Sequence, residues 1–340
     1  MSSRILRRVF LAAIVLVFAA GALSADSDWV YAAAGNRYAV LDPSNGDLVI
    51  EGVLATADFA PGELDTSVIV PTPGGRYVFI LFPAHDRAIV MDAETHRPVW
   101  SVNLPSGTEA LQFSSMGNEI YTRSTNGKWF SLPHRRGEAT GAPSSAPNLG
   151  MNRVAFNRRA TRVYANSGND LVYLLTNSGD EVRDIAIQAG PYDWEVSPNF
   201  RYLLGSGQER VALIDEQRAR VVGYLQGGFT QGAAVFDTAS SRVYALTDNG
   251  REIVVADTRR FGELDRIETP KNLLSIWRSS DQLIHGYSAP SDDGSLAGAI
   301  VLDLLGTSRV VSIPSSLTEG PIAVTASLIT IKPGQGFACF

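Results

Sequence analysis

Four stretches of this chain repeat one phrase: a short apolar strand around a tyrosine, a polar turn, and a second strand that ends in aspartate. They run from Val30-Tyr31 to Leu41-Asp42, from Tyr77-Val78 to Met91-Asp92, from Tyr202-Leu203 to Ile214-Asp215, and from Val243-Tyr244 to Ala256-Asp257. A phrase that returns at a fixed period constrains the fold more than any single residue does. Each copy is one supersecondary unit that must bury its apolar faces against its neighbours.

Turn formers stand ahead of the tyrosine in each unit, as in Thr72-Pro73-Gly74-Gly75, Ser197-Pro198-Asn199 and Asp237-Thr238-Ala239-Ser240, with apolar runs on both sides. Such stretches read as β-hairpins. Weaker copies at Phe113 to Tyr121 and Phe156 to Tyr164 complete a series in which Tyr77, Tyr121, Tyr164, Tyr202 and Tyr244 are separated by 44, 43, 38 and 42 residues. A period of about 40 residues with four short strands per unit predicts the blades of a β-propeller. Asp42, Asp92, Asp215, Asp257 and Asp303 close the third strand of five units, where the carboxylate can accept a hydrogen bond from backbone two residues on and start the next turn. Ser131, and Leu175 or Thr176, take that slot in two units, which are expected to be the least regular.

Six units are complete and a partial one stands at each end. The strand Trp29 to Ala33 lacks an inner partner of its own, and Pro321 to Thr330 can supply it. Pairing the two closes the ring and removes its open edges. The fold class is therefore all-β: a seven-bladed β-propeller of four-stranded blades closed by N- and C-terminal strands, one domain over residues 26–340.

Residues 1–25 differ in kind. Arg4, Arg7 and Arg8 precede the uncharged apolar run Val9 to Ala20, and Ala22-Leu23-Ser24 or Leu23-Ser24-Ala25 offers small residues for cleavage, the pattern of a signal peptide. A mature chain starting near Ala25 or Asp26 is expected, with an uncleaved anchor as the alternative. Leu6-Arg7-Arg8-Val9-Phe10-Leu11 also resembles a twin-arginine signal, but it lacks Ser or Thr before the pair and Lys after it, so general secretory (Sec) export is preferred. The expected location is periplasmic or secreted, with no stable membrane span after cleavage. A net charge of −6 supplies no overall basic field for a phosphate backbone, so no nucleic-acid partner is expected. The single cysteine, Cys339, cannot form an internal disulfide.

The units resemble the extracytoplasmic β-propellers with YVTN-type repeats, through Arg162-Val163-Tyr164-Ala165-Asn166-Ser167-Gly168 and Leu41-Asp42-Pro43-Ser44-Asn45-Gly46; His96 and Ala219 replace the turn glycine. The resemblance implies fold rather than activity, because propellers host binding proteins, enzymes and redox carriers alike.

One rim of such a ring gathers the loops between blades and those between second and third strands, where ligands usually bind. It includes Ala57 to Thr66, Phe82 to Arg87, Ala189 to Trp194, Gln226 to Gly232 and Ser288 to Ala297. His85 lies in Pro83-Ala84-His85-Asp86, as an axial ligand, a general base or an exposed loop residue. Tyr192, Asp193, Trp194, Phe229 and Gln231 put aromatic and polar groups where strands enter the channel, with Trp194 either facing a ligand or wedged between blades. Asp292 and Asp293 could meet a hard cation or simply form an acidic turn. No catalytic residue and no metal site is assigned: the histidines lack zinc-ligand spacing, and no Gly-x-Ser-x-Gly elbow, phosphate-binding loop or heme-attaching Cys-x-x-Cys-His occurs. The expectation is an exported, monomeric binding or scaffold protein, more a binder than an enzyme, for an unknown protein, peptide or small-molecule ligand. The alternative is a periplasmic redox or cofactor-handling propeller, quinoprotein-like, heme-associated or lactonase-like. No cofactor is predicted, with noncovalent heme or quinone left open.

Overall fold

The computed structural model describes residues 29–331 apart from 43–44, 64, 66, 73–74, 114–118, 126–128, 136–137, 140–143, 146–153, 158–160, 168, 176–179, 279–282, 289–298, 307, 313–316 and 318–328. Seven antiparallel sheets follow one another along the chain. Blade 1 is closed by Ile329–Ile331, which pairs antiparallel with Trp29–Ala34, setting Trp29 opposite Ile331 and Tyr31 opposite Ile329. The closing strand thus falls at the end of the predicted segment, while 321–328 lies outside the described residues. Blades 2, 4, 5, 6 and 7 are four-stranded meanders. Blade 3 departs from the pattern: its third strand, Trp129–Arg135, pairs with two two-residue strands, Glu138–Ala139 and Ser144–Ser145. Blade 4 has an inner strand of only two residues, Ala155–Phe156. These are the two units whose third strand lacks aspartate.

Burial follows strand position. Second and third strands such as Tyr77–Phe82 and Arg87–Asp92 are covered almost throughout, whereas outer strands such as Glu263–Glu268 are mostly exposed. The reason is the period-2 alternation of side chains, which sends successive residues to the two adjacent blades. In blade 6, Val243, Ala245, Val254 and Ala256 pack on blade 5, and Tyr244, Leu246, Ile253 and Val255 pack on blade 7. Seven apolar clusters result, each between neighbouring blades, and the one that joins blade 7 to blade 1 through Tyr287, Ile300, Val30 and Ala39 completes the ring.

The aspartates do start the turns. Asp92 Oδ1 accepts hydrogen bonds from the Glu94 and Thr95 amides, and Asp257 Oδ1 from those of Arg259 and Arg260. Four residues after Asp42, Asp92, Asp215 and Asp257 the backbone turns left-handed, at Gly46 (φ 77°), His96 (57°), Ala219 (48°) and Phe261 (51°). That position is also an interblade plug. Gly46 has Val311 of blade 7 only 2.4 Å from where a Cβ would sit. His96 bonds blade 1, sharing a 2.7 Å contact between Nδ1 and the Tyr31 hydroxyl and accepting at its carbonyl from Tyr38, 2.9 Å. Phe261 is buried against blade 5. In two blades the repeated tyrosine thus reaches the turn of the next blade: Tyr31 at His96, and Tyr164, which donates to Glu216 Oε1 at 2.9 Å.

Candidate functional site on the rim of blade 2

The residues connecting blades 1 and 2, between Val53 and Val68, form the longest described interblade connection. The loop folds back over its own origin: the Leu54 amide donates to the Asn36 carbonyl, and the Glu63 carbonyl oxygen lies 1.9 Å from where a Cβ on Gly35 would be. Gly35, at φ 54°, is what lets the loop lie that close.

The loop carries Asp58, Phe59 and Asp65 to the 3-10 turn Pro83–His85 and the start of the strand Arg87–Asp92. His85 Nε2 and Asp65 Oδ2 are 2.6 Å apart, with about 39% and 22% of those side chains exposed. The same carboxylate oxygen accepts the Gly62 amide at 2.6 Å. Beside this pair, Arg87 donates to Asp58 Oδ2 at 2.6 Å, to its carbonyl at 3.0 Å and to Ser101 Oγ at 2.7 Å. Phe59 joins the two halves: its ring meets His85 edge-on at 5.4 Å and lies under the Arg87 guanidinium at 4.8 Å. Hydroxyl donors from Thr56 and Ser101, then Arg87, hold the Asp58 carboxyl down at about 2, so it is anionic at any ordinary pH.

Asp65 is the only hydrogen-bond partner of His85 among the described residues. The imidazole is thus oriented by a carboxylate and partly open to solvent, and among the described residues no hydroxyl or thiol hydrogen-bonds to it. Such a cluster can donate, accept and stack against a ligand.

The other candidates are placed differently. Trp194 is buried between blades 4 and 5, its indole N–H donating to Asn166 Oδ1. Tyr192 stacks near it at 5.4 Å, donates to the Gln188 carbonyl, and is pushed up to about 12 by burial. Phe229 is buried between blades 5 and 6, ahead of a bulge that shifts the register before Ala234. Asp193 and Gln231 are partly exposed, and the Asp193 carboxylate lies 3.0 Å from where a Cβ on Gly232 would be. The structure thus brings Asp193 close to Gly232, the residue after Gln231, and leaves both well apart in sequence and blade from His85. Asp292 and Asp293 lie outside the described residues. Asp58, Phe59, Asp65, Arg87 and Ser101 were not singled out by sequence; the signal available was an acidic, aromatic stretch longer than its counterparts.

No protein-family model matches the chain, and no curated protein matches it. Solved structures do. Hydrazine synthase of Kuenenia stuttgartiensis aligns at TM-score 0.53 and 16% identity over 69% of this chain and 76% of that one. Dihydro-heme d1 dehydrogenase NirN in complex with DHE aligns at 0.56 and 14% over 92% and 76%. The β-propeller domain of Myceliophteria thermophila Cps50 (Swd1) aligns at 0.57 and 11% over 74% and 86%. The likeness is one of fold. Among the described residues, no helix is long and apolar enough to cross a membrane, and no group of three or more His, Cys, Asp or Glu side chains is placed to hold a metal ion.

Proposed function

We propose that this chain is an exported propeller of the YVTN-repeat type, periplasmic or secreted and monomeric, that binds a protein, peptide or small-molecule ligand on the rim of blade 2. The observation that supports this reading most is the built cluster of His85, Asp65, Arg87 and Asp58 around Phe59, held by a long loop. Rigid display of exposed polar groups beside an aromatic ring is what recognition requires, since little is then lost in ordering them on binding. Asp193 and Gln231 at the channel mouth are secondary contacts in this reading.

A thermal-shift screen of the mature protein with peptide and saccharide libraries, repeated on His85→Ala and Phe59→Ala, tests it. Ligand-induced shifts should disappear in both variants while the unliganded melting temperature moves by only a few degrees. Shifts that survive both substitutions would refute the rim assignment.

The redox alternative draws support from a neighbour whose structure is described as a complex with DHE. His85 fits a heme or quinone poorly, because Nε2 is already held by Asp65 at 2.6 Å and Phe59 covers the ring edge. A visible absorption band that stays with the purified mature protein would favour this alternative over the binding reading.

A further inference from the structure

On the face opposite the rim, the turns of blades 5 and 6 enclose a cleft of about 440 Å³, large enough for a small organic ligand. Arg201, Arg218, Arg220 and Arg259 line it, against the single carboxylate of Asp215. Asp215 is buried and braces two of them, with Oδ2 at 3.5 Å from Arg201 and 3.3 Å from Arg218. Arg201 is further fixed over the Tyr202 ring at 5.0 Å, and its Nε is buried without an acceptor. Arg220 and Arg259 are exposed and, among the described residues, have no carboxylate within ion-pair distance. In a chain of net charge −6, this is a local concentration of guanidinium groups, and the nearby Asp237 and Asp257 carboxylates are taken up by the Ser241 hydroxyl and by backbone amides, including that of Arg259, rather than by the arginine side chains.

The neighbouring interface shows what supplies that counter-charge elsewhere. Between blades 4 and 5 the equivalent cleft, about 200 Å³, is lined by Arg162, Arg183 and Glu216, and Glu216 also accepts from Tyr164. Glu216 follows the turn aspartate Asp215. In blade 6 the residue after Asp257 is Thr258, whose hydroxyl is turned away to the carbonyls of Ser240 and Ser241. The internal carboxylate of one cleft is thus replaced in the other by a neutral residue, in a larger space.

We infer that the cleft between blades 5 and 6 binds a small organic polyanion, one carrying two or more carboxylate or phosphate groups. Planar guanidinium groups grip such oxyanions with paired hydrogen bonds, and the Asp215 brace presents two of the four already oriented. A single phosphate would fill only a fraction of the space.

Isothermal titration of the mature protein with inorganic phosphate, pyrophosphate and citrate tests this. Pyrophosphate or citrate should bind more tightly than phosphate, with affinity that falls as salt is raised. The double variant Arg220→Gln/Arg259→Gln should weaken binding by at least about tenfold. It should leave the melting temperature in place, because neither side chain has a partner to lose. Arg266→Gln, which removes one charge from the outer strand of blade 6, should bind as the parent does. Absence of millimolar binding for both polyanions would overturn the proposal, as would equal weakening in Arg266→Gln. A hexaglutamate peptide that binds where both small anions fail would also overturn it, because the face would then be a docking surface for acidic protein.

Discussion

His96 occupies a left-handed backbone conformation at φ 57°, where a non-glycine residue is strained by about 1 kcal/mol or more. Its side chain offsets this through Tyr31 and an edge-on contact with Trp29 at 5.0 Å. Burial, only partly opposed by the charge of Asp92, lowers the affinity of its imidazole for a proton. The unfolded chain therefore binds that proton at a higher pH than the folded one. Stability from the neutral ring is complete above the ordinary value of 6.5 and declines as pH falls below it, until the folded ring protonates as well. Urea midpoints at about pH 7.5 and about pH 5.5 should differ, and His96→Asn, which tolerates the same backbone, should shrink that difference. An undiminished difference in the variant would assign the pH response elsewhere. From sequence, His96 and Ala219 read only as missing glycines. Their role as plugs was hidden because the contacts that define it come from the preceding blade, whereas the repeat displays what lies within one.

At the scale of elements, strands and turns were legible because their cause is local: alternation, turn formers and aspartates that bond backbone a few residues away. Trp194 stood between two readings, and its surroundings explain why. Its ring fits over Gly205, whose missing Cβ would lie 2.7 Å from it, a complementarity that a single strand does not reveal. Trp194→Ala should destabilise by about 3–5 kcal/mol, read from urea unfolding, through the cavity left between blades 4 and 5. The loop that builds the rim site depends instead on Gly35. Gly35→Ala places a methyl group into the Glu63 carbonyl and should lower stability by at least about 1–3 kcal/mol. It should also raise hydrogen exchange at the Leu54 amide, which bonds Asn36 at 2.6 Å. The rim cluster itself was only half legible: His85 and the two loops could be named in advance. The pairing of Asp65 with His85, and of Asp58 with Arg87, spans 20 and 29 residues and is set by how the long loop folds back.

For the molecule as a whole, core packing is shared among seven interfaces rather than gathered at one centre. A ring of this kind tolerates an irregular blade, as blade 3 shows, whereas an open one leaves a β-edge unpaired. Removing residues 329–340 should expose the edge of Trp29–Ala34 and lower the melting temperature by several degrees, with oligomers visible on size exclusion. A truncated chain that stays monomeric with an unchanged melting temperature would show that the apolar contacts between blades 7 and 1 suffice.

The pairing of Tyr31 with Ile329 also sets an order of events. Blades 2 to 7 are each continuous in the chain and can form as their residues become available, but blade 1 is missing a strand until the last stretch arrives. Joining ends about 300 residues apart rather than about 40 adds only about 2 kcal/mol of chain entropy, since that term grows with the logarithm of length. Timing, not energy, is the burden. Until its final strand pairs, blade 1 presents a bare β-edge along Trp29–Ala34, the kind of surface on which another chain can add.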